Sequence, residues 1–463
     1  MTVISGEIKP LRRKHADILP GNMNRLQPED RAGHDWYRFV LSFPPHLVSD
    51  YLHKFGASPG GLVLDPFCGT GTTLVECKKH HISSIGVEAN PMAYFASAVK
   101  TSWRFSGSTV AAHAEKIATA ARQQLQEDGF PDDYNLPLLC ETGLPVKRQL
   151  RCLPAHRAKL LLRDSISPIP LHKALVLLDE IDRYAGAMEE GKIFRLALAS
   201  ALVQNIGNLH FGPEVGVGPP KHDVAVVAQW LARVRTIAAD MAALHPYQSV
   251  PATTVHGDAR SLAQLATTLG SRQISAVITS PPYPNEKDYT RTTRLESVVL
   301  GFISDKAELQ SFKRTLMRSN TRNVYKGDDD GRWVADNQTV QKLVAQIESR
   351  RLELGKTSGF ERMYGKVAEL YFGGMARHLA TLRPLLKPGA NLAYVVGDQA
   401  SFFQVMIHTG AILAEIGEGL GYKVVGLDLF RTRLATATRQ QLREEVLVLR
   451  WPGGLIVGDY RPL

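Results

Sequence analysis

Residues 274–283, ISAVITSPPY, place a proline-stiffened polar loop at the end of a short apolar run. Pro281 and Pro282 fix φ and remove two backbone donors, while Ser280 and Pro281 each precede a proline and are held extended. What remains is mostly acceptors. The carbonyls of Ser280 and Pro281 and the Ser280 hydroxyl can accept from an amino group, and Tyr283 offers a ring face on which something flat can stack. That chemistry suits the exocyclic NH2 of a nucleobase. A strand end, an ordinary proline turn and a core tyrosine would give the same four residues, so the loop needs a second signal.

The second signal is GLVLDPFCGTGTTLVECKKHHISSIGVE, residues 61–88. Its pattern predicts a strand over 62–64, a tight glycine loop over 65–71, a helix over 72–79 and a second strand over 85–87 that ends in Glu88. A glycine loop at the strand-to-helix turn of such a β-α-β unit is where a nucleoside-containing ligand binds. Charge narrows the ligand. No Gly-Lys-Ser/Thr is present, so this is not a Walker loop, and Leu74 stands where a dinucleotide fingerprint has its third glycine. Asp65 would repel a pyrophosphate and attract an ammonium or sulfonium group. Glu88, 19 positions after Gly69, is placed to take both hydroxyls of a ribose. A cationic amino acid joined to an adenosine meets all of these conditions, and S-adenosylmethionine is such a molecule. Asp258, just past a predicted strand at 253–255, could accept from an adenine amine; it could also cap a helix beginning at Ala259.

The elements that must hold these residues follow from periodicity. Residues 274–278 read as a buried strand delivering the SPPY loop, and Pro44-Pro45 introduces a helix in which Leu47, Val48, Tyr51, Leu52 and Phe55 recur at helical spacing. Residues 102–250 read as mainly helical, with amphipathic runs over 110–126, 171–184 and 193–208 and further helix to about 245. Within them NLHFGPEVGVGPPKHD reads as a long loop. Lys147, Arg148, Arg151, Arg157, Lys159 and Arg163 form a basic run that is either a solvated face or a contact for DNA. Residues 305–362 are so highly charged that they read as a flexible excursion, whose basic part could track phosphates. A long helix over 367–386, capped by Lys387-Pro388-Gly389, is followed by a strand at 390–398, a helix over 404–416 and two closing strands. The predicted class is therefore α/β: a doubly wound, mostly parallel sheet of seven strands with an antiparallel hairpin at one edge, plus a largely helical insertion.

Composition sets outer bounds. The chain has 463 residues, with 44% hydrophobic and 22% charged residues, a net charge of +10 and a pI near 9.3. That balance is ordinary for a globular protein and favours a polyanionic partner. Cys68, Cys77, Cys140 and Cys152 fall in no disulfide or zinc spacing, so no metal is expected and a reducing cytoplasm fits. No run approaches the ~18 apolar residues of a membrane span, and MTVISGEIKPLRRKH lacks the apolar core of a signal peptide. Residues 1–33, with Lys9, Arg12, Arg13, Lys14 and His15, read as a polar arm.

DPFCGTGTT followed by TSPPY resembles the DNA amino-methyltransferases, which modify the N4 amine of cytosine or the N6 amine of adenine. The likeness covers residues 34–100 and 251–300 well and 380–451 loosely. It implies that Phe67, Gly69 and Gly71 bind S-adenosylmethionine with Asp65 beside the methionine moiety, that Glu88 takes the ribose and Asp258 the adenine, and that Ser280, Pro281, Pro282 and Tyr283 are catalytic. SFPPHLV resembles the family's additional cofactor motif, which adds Phe43, Pro44 and His46. Serine at the first position of the tetrapeptide is characteristic of the N4-cytosine enzymes. The order of motifs implies that residues 34–101 bind cofactor, residues 102–250 recognise the target, and residues 251–463 carry catalysis. Double-stranded DNA is then the partner, with a cognate restriction endonuclease acting on the same site, and the setting is the bacterial cytoplasm and nucleoid. N6-adenine methylation and guanine-N2 methylation of RNA are the alternative reactions; an idle nucleic-acid-binding protein is the non-enzymatic one.

Overall fold

A computed structural model describes residues 26–38, 42–132, 149–211, 215–434 and 441–454. The polar arm's Lys9, Arg12, Arg13, Lys14 and His15, and likewise Cys140, Lys147 and Arg148, lie outside the described residues. Nine strands are described: β1 (Leu62–Asp65), β2 (Ser83–Glu88), β3 (Leu209–Phe211), β4 (Val215–Val217), β5 (Ala252–His256), β6 (Ile274–Thr279), β7 (Leu386–Gly397), β8 (Lys423–Leu434) and β9 (Gln441–Arg450). Seven of them form one sheet in the order β5-β2-β1-β6-β7-β9-β8. Pairing is parallel from β5 to β7, and β9 runs antiparallel to both β7 and β8. The expected sheet and its antiparallel edge are both present.

The central strands are short and apolar because helices cover both of their faces. Leu62 and Leu64 of β1 face a core shared with the helix Tyr364–Leu382, and Val63 faces the helix Pro45–Lys54 through Leu47, Val48 and Leu52. Successive connections run from β1 outward through β2 to β5, and then from β6 outward the other way. The order therefore reverses between β1 and β6. At such a switch point the carboxyl ends of the two strands leave a crevice. Asp65 ends β1 and Thr279 ends β6, so the glycine loop and the SPPY loop leave the sheet side by side.

The helical segment packs around Ile117, Leu177, Phe194 and Trp230, contributed by the helices Gly107–Glu127, Pro168–Ala185, Gly191–Ala201 and Val226–Leu244. The indole Nε1 of Trp230 donates to the Phe194 carbonyl at 2.9 Å, so the largest buried ring carries no orphaned donor.

Several expectations are corrected. Part of the glycine- and proline-rich stretch after Asn208 is a ribbon in which β3 and β4 pair antiparallel, not simply a loop. Lys387-Pro388-Gly389 does not cap a helix: the helix ends at Leu382, and these residues belong to the start of β7. The helix expected over 404–416 is Thr409–Gly419, because Phe403 and Gln404 take left-handed φ of +53° and +63°.

The charged segment 305–362 is built into the fold. Helices span Lys306–Thr315 and Gln338–Glu353, and Met317, Val334, Val340, Leu343 and Ile347 share the core beneath Tyr364–Leu382. Its charges are partnered in the interior: Arg318 meets Asp328 at 2.7 Å, and Asp330 meets Arg260 at 2.6 Å and Arg377 at 3.1 Å. Gly373 is required there, since a Cβ would lie 2.0 Å from the Asp330 carbonyl.

Candidate active site

Gly69 and Gly71 sit at φ +52° and +85°, the left-handed region that lets the chain turn from β1 into the helix Thr72–Lys79. Gly71 has a packing reason as well. A Cβ there would lie 2.6 Å from Ser97 Oγ, so the glycine lets this helix start close to the helix Pro91–Lys100. Asp65 is fully buried; its carboxylate accepts from the Thr279 and Thr73 hydroxyls, each at 2.6 Å, and from the Phe67 N–H at 3.1 Å. Burial pushes its pKa up to about 6 against the pull of those donors. Asp65 is thus the knot that ties the glycine loop to β6. It does not line the crevice, which corrects the expectation that it faces a sulfonium group.

Glu88 closes the other side of the glycine loop. Its carboxylate accepts from the Gly69 N–H at 2.8 Å and the Asn90 N–H at 2.7 Å, and burial raises its pKa to about 7. Asp258, past the end of the neighbouring β5, accepts from the Arg260 N–H at 2.8 Å and from the Arg260 guanidinium at 2.7 Å. No helix begins at Ala259; the next helical turn is Leu262–Gln264, so Asp258 is not a helix cap. Phe67 stands edge-on to His378 with ring centroids 5.1 Å apart. His378 is itself fixed between the Ala259 carbonyl and the Tyr394 hydroxyl, and burial lowers its pKa to about 4, which keeps it neutral.

In the SPPY loop the Ser280 hydroxyl donates to the Val395 carbonyl at 3.2 Å. In that arrangement the oxygen has lone pairs left to accept from a further donor. The Tyr283 N–H donates to the Tyr289 hydroxyl at 3.1 Å. Gly397 lies under both the Tyr283 ring edge and the stem of Glu444, each about 3.3 Å from where its Cβ would be. Burial, with the nearby Glu444 carboxylate adding to it, raises the Tyr283 phenol.

One cleft of about 710 Å³ gathers Phe43, Phe67, Gly69, Glu88 and Asp258 on one side and Ser280, Pro281, Pro282 and Tyr283 on the other. His46 is not among its lining residues. It is buried with its ring 6.4 Å from Phe430. Pro44 heads the helix Pro45–Lys54. The cleft also contains residues that the sequence did not single out. Arg431 and Glu444 face each other in the β8–β9 register and form an ion pair at 2.5 Å beside Tyr283. No local motif marks them, because only strand register brings them together. Asn90 had a usable signal, as Asn before Pro91 is an N-cap pattern, and its side chain accepts from the Met92 and Ala93 N–H groups.

A glycine loop leaving β1, an acid ending β2 and this strand order define a class I methyltransferase fold. Residues 14–99 match the DNA methylase family of N6 and N4 methyltransferases. The chain is 23% identical over 453 residues to the type II methyltransferase M.BsoBI of Geobacillus stearothermophilus, which covers 91% of this chain and 85% of that protein. It is 28% identical over 189 residues to the type II methyltransferase M.AvaI of a Nostoc strain, 38% of each protein. A stretch of 67 residues is 37% identical to M.MjaII of Methanocaldococcus jannaschii, 12% of that protein. These likenesses support the DNA amino-methyltransferase family. Among the described residues no helix is long and apolar enough to cross a membrane.

Proposed function

We propose that this protein is a site-specific, type II DNA methyltransferase that transfers a methyl group from S-adenosylmethionine to the N4 amine of cytosine in double-stranded DNA. The residues at the Glu88 side of the cleft fit that cofactor. Two carboxylates at the ends of adjacent strands, Glu88 and Asp258, offer acceptors for ribose hydroxyls and an adenine amine, and the Phe67 ring supplies an apolar wall. When bound, S-adenosylmethionine supplies an electrophilic methyl group.

The observation that carries the reading is the hydrogen bond from Ser280 to Val395. A hydroxyl that donates to Val395 keeps its lone pairs for an amine that approaches from the cleft. Ser280 Oγ and the Pro281 carbonyl then take the two amine hydrogens, draw electron density onto nitrogen and aim its lone pair at the methyl carbon. The amine cannot be reached inside a stacked duplex, so the base is flipped into the loop and stacks on Tyr283. Bound beside Glu88 and Asp258, S-adenosylmethionine would supply the methyl group to the amine held by Ser280 and Pro281, and the surplus proton of the amine would pass to solvent. No strong base is needed, and Cys68 is loop filling. Serine at the head of the tetrapeptide favours cytosine; N6-adenine transfer through the same loop is the second reading.

The division of labour is part of the proposal: residues 34–101 bind cofactor, 251–463 carry catalysis and 102–250 recognise the target, with a cognate endonuclease acting on the same site. Nucleoside mass spectrometry of DNA from cells expressing the wild type and Ser280→Ala tests it. N4-methylcytosine in the wild type alone is expected. N6-methyladenine would keep the transfer and move the target base, and methylated guanine in RNA with unmodified DNA would overturn the substrate class.

A further inference from the structure

Beyond Tyr283 the chain doubles back, with the Asn285 N–H donating to the Tyr283 carbonyl at 2.9 Å. The next residue, Glu286, adopts φ +64°. For a residue with a Cβ that conformation costs ~1–2 kcal/mol, and it persists only where the surroundings impose it. The surroundings here are three consecutive residues of the charged segment. The Glu286 N–H donates to the Ser319 carbonyl at 3.1 Å, and the Glu286 carboxylate accepts from the Thr321 N–H at 3.0 Å and from the Thr321 hydroxyl. Asn320 Nδ2 donates to the Lys287 carbonyl at 2.9 Å. Ser319 and Asn320 are both buried, so the clamp rests on a fixed base.

We infer that Glu286 is a positioning residue for the SPPY loop, acting through Thr321. The inference rests on the reading of that loop as the seat of the target amine. Two residues separate Glu286 from Tyr283, and the turn between them is closed by the Asn285 to Tyr283 hydrogen bond, so a shift at Glu286 carries to the ring and to the acceptors. Misplacement of a reacting group by about 1 Å can cost ~100-fold in rate. Nothing about the clamp touches Glu88 or Asp258, so its loss moves turnover and leaves the cofactor where it was.

The test is the rate of methyl transfer from labelled S-adenosylmethionine to unmethylated genomic DNA, with kcat and the cofactor KM measured separately and thermal melting followed for each protein. Glu286→Gly removes the carboxylate yet takes the left-handed conformation without strain, so it should fold; Thr321→Val removes the hydroxyl, and Thr321→Ser keeps it. Expected are a ~10- to 100-fold loss of kcat in Glu286→Gly and Thr321→Val, an unchanged cofactor KM, no further loss in the double variant and near-wild-type turnover in Thr321→Ser. Wild-type kcat in Glu286→Gly and Thr321→Val, with Ser280→Ala inactive, would overturn the clamp and leave the proposed reaction standing. Losses of melting temperature and cofactor affinity in proportion to kcat, Thr321→Ser included, would also overturn it, as a purely structural contact. Full turnover in Ser280→Ala would instead sink the reading on which the clamp depends.

Discussion

The helical segment from Gly107 to Leu244 and the charged segment from Lys306 to Glu353 both interrupt the sheet, and they are held in opposite ways. The helical segment packs Phe194, Trp230, Leu177 and Ile117 into a core that also takes in Val75, Met92 and Val298 of neighbouring helices but none of the strands of the large sheet. Its arginines are largely spent on partners within easy reach. Arg195 pairs with Asp182 and Arg235 with Glu115 at the surface, while Arg157 donates to the Val298 and Val299 carbonyls. Of the basic run, Lys159 and Arg163 remain exposed among the described residues. The charged segment borrows the interior of the sheet and fastens to it through Arg260, Asp330 and Arg377. A segment whose core stands off the sheet's strands can change its outer surface without disturbing them; one packed into the strands' own core cannot. In the function proposed above, the first would be the region for target recognition and the second would go with the catalytic part.

The largest effect that would break this contrast is at Arg260. Arg260→Met leaves Asp258 without its cation and Asp330 with Arg377 alone, and unpairing a buried charge costs ~3–5 kcal/mol. Both melting temperature and cofactor affinity should fall; intact cofactor affinity would mean the charged segment is not tied to the site. Phe194→Ala should cost as much, ~3–5 kcal/mol, and here cofactor affinity of the folded protein is expected to hold, as calorimetric titration would show. A third effect is set by pH. Glu88 is raised from an ordinary 4.5 to about 7, and only its ionised form accepts both ribose hydroxyls. Affinity for S-adenosylmethionine should be full above pH 7 and fall by up to ~tenfold per unit below it. Glu88→Gln should bind more weakly and flatten that profile. Folding stability has the opposite sign: it declines as pH rises from about 4.5 to about 7, since the unfolded carboxyl loses its proton first. Replacing Lys159 and Arg163 by Glu should weaken DNA binding and reduce its salt dependence by ~2 in log–log slope if both contact phosphate, with cofactor affinity untouched. The smallest effect is Arg235→Gln, which removes an exposed pair with Glu115 and should change stability by ~1 kcal/mol or less.

What the sequence could and could not reveal follows the same division. The β-α-β unit was legible because its glycines, its strand-end acid and its helix lie within a few turns of one another. The mostly parallel sheet and its antiparallel edge followed from the alternation of apolar runs. Asp65 was misread, because one of its decisive partners, Thr279, is 214 positions away and nothing local shows that its carboxylate turns inward. The charged segment was misread for the same reason. Arg318 and Asp328 look like solvated charge until burial pairs them, and one partner of Asp330 lies 70 positions back at Arg260. Arg431 and Glu444 needed strand register before they could be noticed.

The bond between Asp65 and Thr279 also has a consequence in time. A ribosome adding ~5–20 residues per second needs roughly 10–40 s to make the 214 residues that separate them. For most of that interval only β1 and β2 of the sheet have been made, since β5 begins at Ala252, and the Asp65 carboxylate has no hydroxyl from β6 to receive. The helices that complete the intervening core emerge in the meantime. Closure of β1 against β6 is therefore a late step of maturation, and the two loops that flank the cleft meet only then.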